Sequence, residues 1–291
     1  MLAWCLVFCV QEGALDLLDG ETLYEDGWLF TVGYDRVEKA TLRDGGDRIH
    51  DPLGRRETHH SVPLSTHWGL RHDLQLSAIV PWVRREEQSA ASERLSSEGL
   101  GDVVLAAKYR FLRLDGDGFG TNFSVLGGLE LPTGSDDERD GGATLPPDLQ
   151  PGSGSWDPFV GGGVTHEPGR WRFNAFVFYK LNTENADDFR HGDRLYVELA
   201  AGNRFWLEPY PGPFMRADLL LRYRWEGHDE LDGVADPDSG GDQLTVGLNW
   251  AFRPRPTLDF QVGFEVPVWE SVEGTQVAET YSLFIAFGWR I

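Results

Sequence analysis

The 291-residue sequence has little that would staple or thread it by familiar means. It has two cysteines, Cys5 and Cys9, both inside the first ten residues, so a chain shortened beyond that point has no disulfide and no cysteine ligand for a metal. It has two methionines, and no apolar run approaches the ~18 to 20 residues that a membrane-spanning helix requires. Base is scarce as well: 26 Lys and Arg stand against 47 Asp and Glu, a formal net charge of −21, which argues against an overall nucleic-acid binder. A mean hydropathy of −0.36 has the look of an ordinary soluble protein. None of these absences excludes a membrane protein that crosses with strands, which need about 9 to 11 residues apolar only at alternate positions. The 35 glycines, 11 tryptophans and 12% aromatics favour β structure over helical bundles.

Alternation is what the chain does have. In Val103 to Phe111 the odd positions Val103, Leu105, Ala107, Tyr109 and Phe111 oppose Ala106, Lys108 and Arg110, with Asp102 just ahead of them on the even face. Trp171, Phe173, Ala175, Val177, Tyr179 and Leu181 oppose Arg172, Asn174 and Lys180. Met215, Ala217, Leu219, Leu221, Tyr223 and Trp225 oppose Arg216, Asp218, Arg222 and Arg224. A period of two held for about ten residues exceeds the ~5 to 6 of globular strands. Twelve such segments occur at about 27–36, 57–70, 73–85, 99–112, 120–131, 155–166, 170–181, 193–207, 212–226, 242–253, 256–269 and 278–291. Their connections alternate: tight ones such as Glu167-Pro168-Gly169, and long ones at 37–56, 86–98, 132–154, 182–192 and 227–241, with a moderate 270–277. The expected fold is therefore all-β: an up-and-down antiparallel transmembrane barrel of about twelve strands, closed so that no edge faces lipid. A soluble sandwich or lipocalin-like barrel explains single strands but neither their length nor the loop alternation. Trp28, Trp68, Trp82, Trp171, Trp206, Trp225, Trp250, Trp269 and Trp289 fall near segment ends, where interfacial girdles sit.

The expected organisation is three-part. Residues 1–10 (MLAWCLVFCV) read as the h-region of an export signal, without a clear cleavage site, or as a short buried strand. Lipidation of Cys9 is disfavoured by the bulk of Phe8. Residues 11–26 form a periplasmic segment or plug, and residues 27–291 the barrel.

If the apolar faces meet lipid, the opposite faces line a lumen. The lumen-lining candidates are Lys108, Arg110, Glu130, Arg172, Lys180, Glu198, Arg204, Arg216, Asp218, Arg222, Arg224, Asp259, Glu265 and Arg290, with Asp73, Asp102, Asp157 and Arg194 on the same faces. These charges nearly balance, so the excess acid belongs to loops such as 226–242, which holds seven acids and no Lys or Arg. The rows of cations suit either selection of an anionic or polar solute or a network of ion pairs holding the barrel rigid. Asp236, Asp238 and Asp242 are spaced for oxygen ligation but lack the Glu and Gly of a calcium loop, so a solvated loop is the reading and no metal or cofactor is assigned. His59, His60, Ser61, Ser65 and His67 raise the question of a lipid hydrolase. No G-x-S-x-G elbow accompanies them, and an enzyme is not expected. Gly161-Gly162-Gly163 reads as a strand site with little side-chain bulk.

Several short motifs complete the reading. Gly99-Leu100-Gly101-Asp102 precedes Lys108-Tyr109-Arg110-Phe111. Leu131-Pro132-Thr133-Gly134 follows, then Gly152-Ser153-Gly154-Ser155-Trp156-Asp157 and a strand ending Phe178-Tyr179. In that order and spacing they resemble the outer-membrane family of MetA-pathway of phenol degradation proteins, often called simply transporters. The resemblance is strongest over residues 67 to 181. It implies an outer-membrane barrel that passes small, often aromatic or hydrophobic compounds, and it brings no catalytic residues. On physical grounds Gly99 and Gly101 let the strand leave a loop and Asp102 faces inward to meet Lys or Arg. Pro132, Thr133 and Gly134 end a strand, while Trp156 and Asp157 re-enter the membrane, ring outward and carboxylate inward. The expected function is passage of small solutes. The alternative is a closed structural or binding barrel with acidic, cation-binding loops. Expected partners are outer-membrane lipids, the barrel-insertion machinery and an unidentified small solute, with no nucleic acid.

Overall fold

The computed structural model describes residues 17–90 and 94–291. The signal reading for residues 1–10 lies outside them. Twelve strands close into one antiparallel barrel. They are β1 (Trp28–Asp44), β2 (Arg56–Arg71), β3 (Leu74–Gln88), β4 in two pieces (Leu95–Leu100 and Val103–Gly116), β5 (Phe119–Leu131) and β6 (Asp157–Pro168). The second half is β7 (Trp171–Lys180), β8 (Arg194–Leu207), β9 (Phe214–Glu226), β10 (Gly241–Arg255), β11 (Leu258–Val272) and β12 (Thr275–Arg290). Each pairs with its sequence neighbour, and β1 pairs with β12 from Leu29 opposite Arg290 to Asp44 opposite Thr275. Trp28 and Ile291 exchange both backbone hydrogen bonds at the seam, at 2.8 and 3.0 Å. Closure leaves no sheet edge open to lipid, which hydrocarbon demands.

The two faces are opposite in chemistry. Outward side chains such as Val160, Leu219 and Leu248 are 54 to 65% exposed, while inward Lys39, Lys108 and Arg222 are fully buried. A soluble barrel would invert that distribution. Aromatic rings girdle the short-turn end: Trp28 stacks on Trp68 at 5.5 Å, and Phe252, stacked on Trp250, continues through Phe260 to Phe287. Trp82, Trp156 and Trp269 stand exposed toward the other end.

The strand boundaries differ most from the sequence reading at β1, at β4, which runs from 95 to 116 rather than 99–112, and at the turn before β12. Strand β1 runs to Asp44 rather than 36 because a bulge between Glu38 and Thr41 breaks the period of two. The bulge turns both Glu38 and Lys39 inward, so alternation ends while pairing continues. The connection expected at 270–277 shrinks to Glu273-Gly274, with Gly274 at φ +64°, a conformation that glycine adopts without strain. The interior is also less uniformly polar than alternation suggested. Phe159, Phe176 and Phe284 point inward, and each ring lies across a neighbouring strand's glycine: Gly128, Gly163 and Gly263 respectively. Gly161 and Gly163 thus face inward as a bed for the Phe176 ring, where a Cβ at Gly163 would sit 2.5 Å from it.

Candidate functional site: the lumen and its mouth

The polar interior is built from long side chains that alternation delivers to the same space, where each buried charge needs a partner. Lys180 on β7 reaches Glu130 on β5 at 2.8 Å and Asp157 on β6 at 3.1 Å. Arg222 on β9 joins Glu198 on β8 at 2.8 Å to Glu265 on β11. Arg224 meets Glu279 at 3.0 Å, and Arg194 meets Glu226 at 2.7 Å. Toward the short turns, Arg216 pairs with Asp218 at 2.7 Å, Asp259 receives Arg253 and Arg290, and Arg204 pairs with Glu167. Arg110 is half-buried and donates to the carbonyl of His72 in the turn before β3.

The candidates therefore form linked pairs rather than one row of unpaired cations. The near balance of charge expected inside does not hold. Glu38, Glu57, Glu226, Glu270 and Glu279 join the interior, and among the described residues buried acids outnumber buried bases. These five sit at bulges or strand ends, where alternation could not assign a face. Of the histidine and serine cluster, His67 Nδ1 lies 2.8 Å from Ser77 Oγ, both buried in the lumen wall, while His60 meets the Tyr34 hydroxyl at 2.9 Å.

The chain ahead of β1 crosses this interior. Leu17 and Leu18 are buried against Ile79, Val104, Leu126, Phe159, Phe176, Phe178 and Tyr196. Asp19 binds Lys108 at 2.7 Å and Arg172 at 2.8 Å, and Glu21 binds Arg172 at 2.7 Å. The Gly20 N–H donates to Thr165 Oγ1, the Ser124 hydroxyl donates to the Asp19 carbonyl, and the Leu23 N–H donates to Gln75 Oε1, all at 2.9 to 3.0 Å. A polar cavity of about 110 Å³ remains on the short-turn side, between this segment and Arg216, Asp218 and Asp259.

At the opposite end the long loops fold over the mouth. The motif residues Gly99 to Asp102, Pro132 to Gly134 and Gly152 to Asp157 meet there, while Lys108 and Arg110 stand deeper in the barrel and at the short-turn end. Asp102 is buried and accepts the backbone N–H groups of Thr133, Gly134 and Ser153 at 2.6 to 3.0 Å, with the Ser153 hydroxyl at 2.9 Å. It anchors the loop between β5 and β6; the expected Lys or Arg partner is replaced by these donors. Gly134 and Gly152 cross backbone to backbone, and a Cβ on either would stand 2.6 to 2.7 Å from the other's main chain. Pro132 precedes this crossing, and Gly99 and Gly101 pack against Pro151 and Pro81. Asp157 accepts the Ser155 hydroxyl and the Thr183 N–H while Trp156 projects outward, 57% exposed.

The loops so held enclose a cavity of about 600 Å³ lined mainly by apolar atoms of Leu145, Pro147, Phe189, Leu231, Val234 and Ala235. Its wall carries His191 and Asp229, and buried Asp148 lies beside them, one from each of three loops, with ligand atoms all within 4.8 Å. Burial, then the Asp229 carboxylate, push the Asp148 carboxyl up to about 8. Burial pushes His191 down. For Asp229 burial acts upward, but the His191 ring and the Gly192 N–H outweigh it and hold the group below its ordinary value. No local spacing announces this trio, whose members lie far apart in sequence.

This arrangement defines a class: a closed, twelve-stranded outer-membrane-type barrel with a covered mouth and a segment across its lumen. An outer membrane channel from Pseudomonas putida F1 has a similar structure, with a TM-score of 0.74 at 16% identity over 94% of this chain and 98% of that one. The β domain of the Bordetella autotransporter BrkA is more distant in shape, with a TM-score of 0.54 at 9% identity over 92% of this chain and 100% of that one. No curated protein is significantly similar in sequence. Residues 54–278 match the family described as Putative MetA-pathway of phenol degradation, and the chain belongs to that family.

Proposed function

We propose that the protein sits in the outer membrane and passes small, uncharged, largely apolar solutes, aromatic ones included. They enter through the mouth cavity, and the segment 17–26 acts as a stopper. No enzymatic role is part of this reading. The observation that carries it is the pairing of an apolar cavity of about 600 Å³ with a lumen whose charges are tied to one another. A pocket of that size suits one small molecule. A paired lumen offers ions no replacement for their hydration shell. The P. putida channel supports the fold, and the family supports the solute class.

The closed-barrel alternative draws on the burial of Leu17 and Leu18, which blocks the middle of the lumen. Proteoliposomes decide between them. The intact protein should speed entry of a small aromatic such as benzyl alcohol over empty liposomes, while conducting ions poorly. Removal of residues 17–26 should raise both. If neither form admits solute faster than protein-free liposomes, the conduit reading fails and the closed barrel stands.

A further inference from the structure

The geometry points to a divalent transition-metal site at Asp148, His191 and Asp229 that fastens three loops beneath the mouth cavity. One imidazole and two carboxylates form a donor set suited to zinc-like cations, and two carboxylates balance a divalent charge. The three contribute from separate loops: Asp148 from the 3-10 turn Pro147–Leu149, His191 three residues before β8 begins, and Asp229 from the loop after β9.

Three observations distinguish this place from an ordinary acidic loop. All three side chains are buried, at 4 to 8% exposure, whereas loop acids such as Asp232 and Asp236 are exposed. Asp148 Oδ1 is buried with no hydrogen-bond partner, although a carboxylate oxygen in such a position ordinarily has one. The backbone around the trio is already fixed. The Gly192 N–H donates to Asp229 Oδ1 at 2.8 Å, the Asp229 N–H donates to Ser239 Oγ at 2.8 Å, and Arg85 from the barrel wall donates to the Asp148 carbonyl at 3.1 Å. His191 Nδ1 lies 3.6 Å from Asp229 Oδ1. Tetrahedral ligands on a zinc-sized ion stand about 3.3 Å apart, so contraction by about 1.5 Å at most completes the set. Three protein ligands leave one coordination position open, and His191 and Asp229 line the cavity. A cation would meet the unpartnered Asp148 oxygen and join the two acids and the imidazole in a bond across three loops.

The test uses the full-length barrel folded in detergent and stripped with EDTA. Zinc titrated by calorimetry should bind at one equivalent below about 100 μM, and cobalt should give d–d absorption of a four- or five-coordinate nitrogen–oxygen site. Asp148→Asn and His191→Gln should each weaken zinc by about tenfold or more. Asp148→Asn should be about as heat-stable as the parent without metal, because it replaces one neutral group by another of the same size; zinc should raise the melting temperature of the parent and not that of Asp148→Asn. His228→Gln, at the exposed pair with Glu273, should bind as the parent does. Absence of saturable zinc binding, parent-like binding by Asp148→Asn, or loss of binding on His228→Gln would each overturn the proposal.

Discussion

Replacing Asp19 by asparagine should unlatch the segment that crosses the lumen. Among the described residues Asp19 joins Lys108 to Arg172, at 2.7 and 2.8 Å, with its side chain only 9% exposed. Removing one partner of a buried ion pair costs about 3 to 5 kcal/mol, because the charge left behind has surrendered its hydration. The loss is felt at the Asp19–Lys108 contact, since Arg172 keeps Glu21 and Glu167, each at 2.7 Å. Asparagine still accepts one hydrogen bond, so about 3 kcal/mol is the better figure, which shifts the seated-to-released equilibrium by roughly 10²-fold. The remaining grip is the Glu21–Arg172 pair, two buried leucines and hydrogen bonds worth about 1 kcal/mol each.

Two readouts follow. Amide exchange at Gly20 and Leu23, whose N–H groups are held by Thr165 and Gln75, should accelerate by about the same 10²-fold if release is the exchange-competent event. Planar-bilayer recordings should show longer or more frequent conducting episodes. Glu25→Gln, at an exposed position, is the control and should behave as the parent. Unchanged exchange at both amides together with unchanged conductance in Asp19→Asn would refute the idea that this acid latches the segment.

Other perturbations test the lumen and mouth separately. Arg222→Met leaves Glu198 and Glu265 buried and facing each other, and should lower stability by about 3 to 5 kcal/mol in urea titrations, with most of it recovered when both acids become glutamine. Gly152→Ala places a methyl 2.6 Å from the Gly134 backbone and should cost about 1 to 3 kcal/mol, read as proteolytic sensitivity of residues 132–156 with the barrel intact. Leu231→Glu with Val234→Glu, at positions 55 and 70% exposed, should leave the melting temperature unchanged yet slow uptake of an aromatic solute; unaltered uptake would remove the mouth cavity from the path.

The barrel was legible in the sequence because a period of two over ten residues is a one-dimensional signal. Val103 to Phe111 already separates Lys108 from Leu105, and the structure keeps them on opposite faces. What alternation could not carry were places where the period breaks or contacts are distant. The bulge at Glu38 and Lys39 hid one end of β1. The inward rings of Phe159, Phe176 and Phe284 depend on glycines of neighbouring strands, so a single strand's pattern says nothing about them. Asp148, His191 and Asp229 converge only through three loop conformations, and no spacing rule connects them.

The motif residues mark the sharper boundary between what pattern and geometry reveal. Each has a local role that can be argued alone: a glycine for a bend, a proline to end a strand, an aspartate for an inward face. Together they make one joint, in which Asp102 gathers the N–H groups of Thr133, Gly134 and Ser153 and two glycines let the chain cross itself. A loop of this length is floppy unless its ends are tied, since ordering costs about 1 to 2 kcal/mol per residue. Fixing it at a buried carboxylate places Leu145 and Pro147 over the mouth rather than in solvent. Lysine or arginine in place of those N–H groups would have balanced the charge of Asp102 without directing the loop. An aspartate satisfied by main chain therefore requires this loop geometry. That requirement, rather than contact with any solute, accounts for why the motif is spread across three connected segments.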